Sequence, residues 1–126
     1  MAAGDVKGDN AIVITLVAGA AITKGQLVDM QADTYFDPSA AAATGKFAVA
    51  IEAAAGAASE FRAVIYGPVE VTASAATISK GTTVISADTG VVAQVAVPAS
   101  IWLNVGTAME AFASGGTGTI FLGLVN

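Results

Sequence analysis

Histidine and cysteine are both absent from this chain of 126 residues. The first absence removes the side chain that most often acts as a general acid or base near neutral pH. With cysteine gone as well, disulfides, thiolate chemistry and nearly all transition-metal sites are excluded. Charge is scarce too. Only 12% of the residues are Asp, Glu, Lys or Arg, about half the share of roughly 25% in an average soluble protein. The bases Lys7, Lys24, Lys46, Arg62 and Lys80 are scattered among ten acids, for a net charge of −5. No basic stripe exists to neutralise phosphates, so nucleic acid is not an expected partner.

Long hydrophobic runs are also missing, although 55% of the residues are hydrophobic. A helix needs about 20 apolar residues to cross a bilayer. The run from Ala11 to Ala21 is closed by Thr23 and Lys24, a later alanine-rich run is interrupted by Glu52, and neither has a basic flank. The opening MAAGDVKGDN lacks the basic start and apolar stretch of a signal peptide. The expectation is therefore a soluble protein made in the cytoplasm, with no membrane partner. Much of the hydrophobicity is alanine, which buries little area per residue. Bulky anchors are few, so burying subunit faces in an oligomer is an expected source of stability.

What remains reads as strands. Short Val/Ile/Thr-rich stretches occur at 11–17 (AIVITLV), 47–52, 61–72, 82–86, 91–97 and 119–125, separated by Gly, Asp, Ser and Pro at intervals that suit a barrel or sandwich. The competing helix signal comes from alanine. It is weak, because Ala40 to Ala43 lie between Asp37-Pro38 and Thr44-Gly45, and Ala53 to Ala58 contain Gly56. Each allows short helical turns at most. The fold class expected is all-β in a single domain at 11–126, preceded by a flexible arm at 1–10 that is polar and lacks apolar periodicity.

An internal repeat organises the domain. Ile22-Thr23-Lys24-Gly25 followed by Val28 returns as Ile78-Ser79-Lys80-Gly81 followed by Val84, an offset of 56 residues. Ala50-Ile51-Glu52-Ala53 returns as Ala108-Met109-Glu110-Ala111, at an offset of 58. Two related halves are implied, about 12–67 and 69–125, neither able to close a core alone. The I-[ST]-K-G-x-x-V motif describes an exposed turn where Gly25 or Gly81 supplies a positive φ. Lys24 or Lys80 stays in water there, or meets a partner's carboxylate.

Few residues suggest chemistry. Asp29, Asp33 and Asp37 would align on a helix but lie in a segment that reads as strand and turn, and the calcium-loop pattern is absent. Glu52 and Glu110 occupy equivalent repeat positions, where a glutamate accepting local hydrogen bonds is a commoner role than a catalytic pair. The glycines at 115–118 fit a hairpin better than a phosphate loop, since no lysine follows. Trp102 reads first as a core residue and second as an oligomer or interface anchor, and Phe112 is a further candidate anchor. No enzymatic activity and no cofactor are expected.

Four segments together carry a resemblance: I-T-K-G-x-x-V at 22–28, FAVAIEAAAG at 47–56, I-S-K-G-x-x-V at 78–84 and VGTAMEAFASG at 105–115. In this order and spacing, from about Val13 to Val125, the chain resembles the small capsid decoration (cement) proteins of tailed phages. It departs from them in its N-terminal arm and in a longer 86–104 segment. The resemblance implies a small β-barrel or β-tulip-like domain, forming a homotrimer on the outer surface of the virion head and bridging major capsid subunits, with no catalytic residues. In that setting Asp5, Lys7, Asp9 and Asn10 of the arm are candidate capsid contacts. The rival expectations are another virion or surface-layer subunit, such as a tail or baseplate component, and a ligand-binding module.

Overall fold

The computed structural model describes residues 3–4, 11–31, 34–40, 47–74, 76–87, 90, 92–95 and 104–123. These residues are all-β, with nine strands and no α-helix among them. The strands are β1 (Ile12–Val17), β2 (Leu27–Met30), β3 (Phe36–Pro38), β4 (Phe47–Ala50), β5 (Glu60–Thr72), β6 (Thr83–Ser86), β7 (Val92–Val95), β8 (Asn104–Ala108) and β9 (Thr117–Leu122). Six of them, β1, β4, β5, β6, β7 and β9, fall on the β-branched stretches expected from the sequence, whereas β2, β3 and β8 lie outside those stretches. The alanines at 53–58 form bends and a turn, fixed by the antiparallel bridge between Ile22 and Ala54.

The hydrogen-bonded order is β3-β2-β4-β5-β9-β8-β6-β7, with β1 paired to β5 outside that path. Register shows how this curled sheet is built. In the first half Val28 lies opposite both Pro38 and Ala48, and Ala50 lies opposite Ala63. In the second half Val84 lies opposite Gln94 and Gly106, and Ala108 lies opposite Ile120. Offsets of 56 to 58 residues relate every one of these pairs. A parallel bridge from Ala18 to Phe36 draws β1 toward β3, and its counterpart from Ala73 to Val92 draws β5 toward β7. Each half is thus a five-stranded sheet curled back on itself.

The two sheets share β5. Glu60–Tyr66 pair with β1, and Gly67–Thr72 pair with β9. The start of β5 is therefore the counterpart of β9, and its end is the counterpart of β1. The seam falls at Gly67-Pro68, where Gly67 has φ of 115°. A glycine is needed to turn the strand at that point.

Packing joins the halves unequally. Leu16, Ile22, Val28, Phe36 and Phe61 fill the first curl. Leu27, Val49 and Val64, on the first half's opposite face, instead join Val69, Val71, Ile78, Val84, Phe112, Ile120 and Leu122 of the second half. Burying a side chain of this size contributes about 1.5–3 kcal/mol relative to leaving it exposed. The shared cluster therefore couples the halves into one folding unit.

Candidate interaction surface

The repeated turns have matching geometry. Gly25 and Gly81 have φ of 92° and 84°, a region that favours glycine. Each donates its N–H across to the end of the neighbouring strand, Gly25 to the Ala50 carbonyl and Gly81 to the Ala108 carbonyl, both at 2.8 Å. Lys24 and Lys80 sit exposed at the turn tips.

The two repeat glutamates have a structural use. A Glu52 carboxylate oxygen accepts the backbone N–H of Arg62 at 2.9 Å, and a Glu110 oxygen accepts that of Thr119 at 3.1 Å. Each carboxylate thereby caps the opening of the following strand in its own half. Glu52 also meets the Arg62 guanidinium at 3.4 Å on the surface, where such a pair contributes little.

Asp29 and Asp37 face each other across the β2–β3 pair, while Asp33 lies outside the described residues. Burial pushes the Asp29 carboxyl above its ordinary value. A hydrogen bond from the Gln31 amide to Asp29 Oδ1 at 2.8 Å opposes that rise, and the Asp37 charge adds to it. No group of three or more metal-ligating side chains occurs among the described residues.

Of the candidate anchors, Phe112 lies in the core at 7% exposure. Its ring packs so closely on Gly118 that no Cβ would fit there. This corrects its assignment as an interface anchor, since the side chain is occupied by its own fold. Trp102 lies outside the described residues, as do Asp5, Lys7, Asp9 and Asn10. Of residues 1–10, Ala3 and Gly4 are described, and they do not behave as a free arm. Gly4 is buried, has φ of 85°, and donates its N–H to the Glu70 carbonyl at 2.7 Å. A Cβ on Gly4 would stand 2.6 Å from the Ala50 oxygen and 2.8 Å from the Gly25 nitrogen, so the seat requires glycine.

Among the described residues, exposed apolar ground centres on β1, a β-branched and uncharged strand. On β1, Ile12, Val13, Ile14 and Thr15 are all exposed. Their neighbour Tyr66 is exposed too, and its ring meets Phe121 edge-on at 5.3 Å between centroids. An uncharged apolar edge is normally guarded by lysine, proline or a covering segment. β1 has neither charge nor proline, and only a register shift between Ile12 and Val13 interrupts it. Composition alone could not expose this surface, because AIVITLV reads equally well as a buried strand. The available signal was the repeat, which pairs β1 with the end of β5.

No family model and no curated protein matches the chain. Among solved structures, it is similar to the head fiber gp8.5 N base of bacteriophage phi29. The TM-score is 0.65 at 15% identity, over 89% of this chain and 93% of that one. At that identity the likeness establishes a shared all-β fold.

Proposed function

We propose that this protein is a structural subunit of a tailed-phage virion. In this reading it binds the outer surface of the head as a homotrimer and stabilises contacts between major capsid subunits, without catalysis. The observation that carries the reading is the fold shared with a phage head fiber base over nearly the whole chain. The side chains agree with it. The repeat carboxylates Glu52 and Glu110 each hold a backbone N–H. An adhesive block needs a rigid scaffold and patches of modest affinity, which add up through effective concentration when many copies sit on one lattice. Apolar ground such as β1 supplies patches of that kind. The net charge of −5 keeps the free protein soluble and disfavours contact with packaged DNA.

The test is to mix purified protein with heads that lack it, sediment the heads, and image them. Binding in fixed stoichiometry with density on the outer surface is expected, together with slower release of DNA on heating. Heads that pellet without the protein, or that bind it and burst at the same temperature, would contradict the proposal. A fiber-base role is favoured by the specific neighbour found. It shares the attachment to the head and differs in that heat resistance of the shell would not change.

A further inference from the structure

Ala3 and Gly4 lie where the two halves meet. Gly4 donates its N–H to the carbonyl of Glu70, in the stretch of β5 that pairs with β9 and so belongs to the second half. On its other side the segment meets the first half. A Cβ on Gly4 would stand 2.6 Å from the Ala50 oxygen, 2.8 Å from the Gly25 nitrogen and 2.9 Å from Lys24 Cγ. Conversely, a Cβ on Gly25 would overlap the Ala3 side chain and stand 2.8 Å from the Ala3 carbonyl carbon. Two glycines thus face each other across the seam, each leaving the room that the other's segment fills.

The repeat shows what is added here. Gly81 has the left-handed backbone of Gly25 and makes the matching hydrogen bond to the end of its neighbouring strand. Yet Gly81 is exposed, and among the described residues nothing lies within 4 Å of where its Cβ would stand. Both turns need glycine for their φ, and Gly25 needs it a second time, for Ala3. The segment is held by fit rather than by apolar burial. Ala3 is half-buried, Gly4 has no side chain, and neither core cluster includes them. So small a pair removes little apolar surface from water, and one backbone hydrogen bond adds a modest net gain. Lifting it therefore costs far less than opening the shared cluster.

We propose that Ala3–Gly4 is a releasable strap across the seam between the halves. Seated, it ties the Gly25 turn of the first half to the β5 stretch of the second. Lifted, it frees that turn while both curls keep their cores. Elements that move on binding are drawn from segments that open below the global transition, and the strap is such a segment. The inference goes beyond head binding and does not depend on it.

Hydrogen exchange and urea unfolding test it, on the full chain and on a variant lacking residues 1–4. In the full chain the Gly4 amide should be less protected than those of Ile22 and Phe112 by about tenfold or more, and its exchange should respond little to low urea, as for a local opening. The shortened variant should fold and unfold in one cooperative transition. In the full chain Gly25→Ala should lower the urea midpoint more than Gly81→Ala does. In the shortened variant the two should lower it equally, because only the left-handed φ is left to strain. An excess for Gly25→Ala that persists after the deletion would overturn the inference, as would equal losses in the full chain. Gly4 protection that tracks the global transition, or a shortened chain that does not fold, would make the segment part of the core and overturn it too. No heads enter these measurements, so the strap and the head-binding reading succeed or fail separately.

Discussion

Leu27→Ala probes the coupling of the halves, because Leu27 belongs to the first half by sequence and to the second half's core by packing. Its side chain is fully buried. Truncating such a leucine removes its transfer free energy and leaves a cavity, a loss of about 3–5 kcal/mol in a well-packed site. For a chain of this size, between the ranges known for smaller and larger domains, each kcal/mol lowers Tm by about 3–5 °C. The expected fall is therefore about 10 °C or more. Urea unfolding followed by circular dichroism, together with calorimetry, reads both the magnitude and the cooperativity. One transition should move as a whole. Thr83, the counterpart of Leu27 at the same repeat position, supplies the control, and Thr83→Ala should lose about 1 kcal/mol or less. A loss below about 1 kcal/mol for Leu27→Ala, or a curve splitting into two transitions with only one shifted, would refute the shared core.

Other expectations follow from single sites. Burial raises the Asp29 carboxyl pKa, so the folded state holds this proton more tightly than the unfolded chain. The stabilisation from protonation is full below the ordinary value of 3.8 and is lost as pH rises through the folded value. Asp29→Asn, which keeps the acceptor for Gln31, should therefore raise Tm at pH 7, with a gain that shrinks on acidification; a constant difference across pH would contradict the assignment. Gly25→Ala meets both a left-handed φ and the packed Ala3, whereas Gly81→Ala meets only the φ. The first should destabilise by about 2 kcal/mol or more and the second by about 1, and equal losses in denaturant melts would argue against the seat for Ala3–Gly4. Thr34→Gly should stabilise by about 0.5–1 kcal/mol, because a β-branched residue occupies a backbone region that its counterpart Gly90 fills without strain; a loss in the same melts would contradict this.

Several features were legible in the residues themselves. The repeat at Lys24-Gly25 and Lys80-Gly81 located two equivalent turns, and β-branched stretches located six of the nine strands but not β2, β3 and β8, because both are local signals. The roles of Glu52 and Glu110 followed from their shared place in the repeat. Other features depend on what covers a strand, which local sequence does not encode. Leu27, Val49 and Val64 are apolar for the sake of a neighbouring half, and Ile12–Ile14 are apolar yet exposed. Phe112 illustrates the same limit, since an aromatic beside a glycine-rich turn suits an interface and a core equally well. Its burial is decided by Gly118, which alone leaves room for the ring.

Two like halves share one core, and native-state hydrogen exchange tests this most directly. The amides of Ile22 and Ala54 bond each other's carbonyls at 2.9 Å, and those of Ile78 and Phe112 do the same at 2.9 and 3.0 Å. All four should exchange slowly, with similar protection that falls together as denaturant approaches the global transition. Protection confined to one pair, with the other exchanging through a separate, lower-energy opening, would contradict the account.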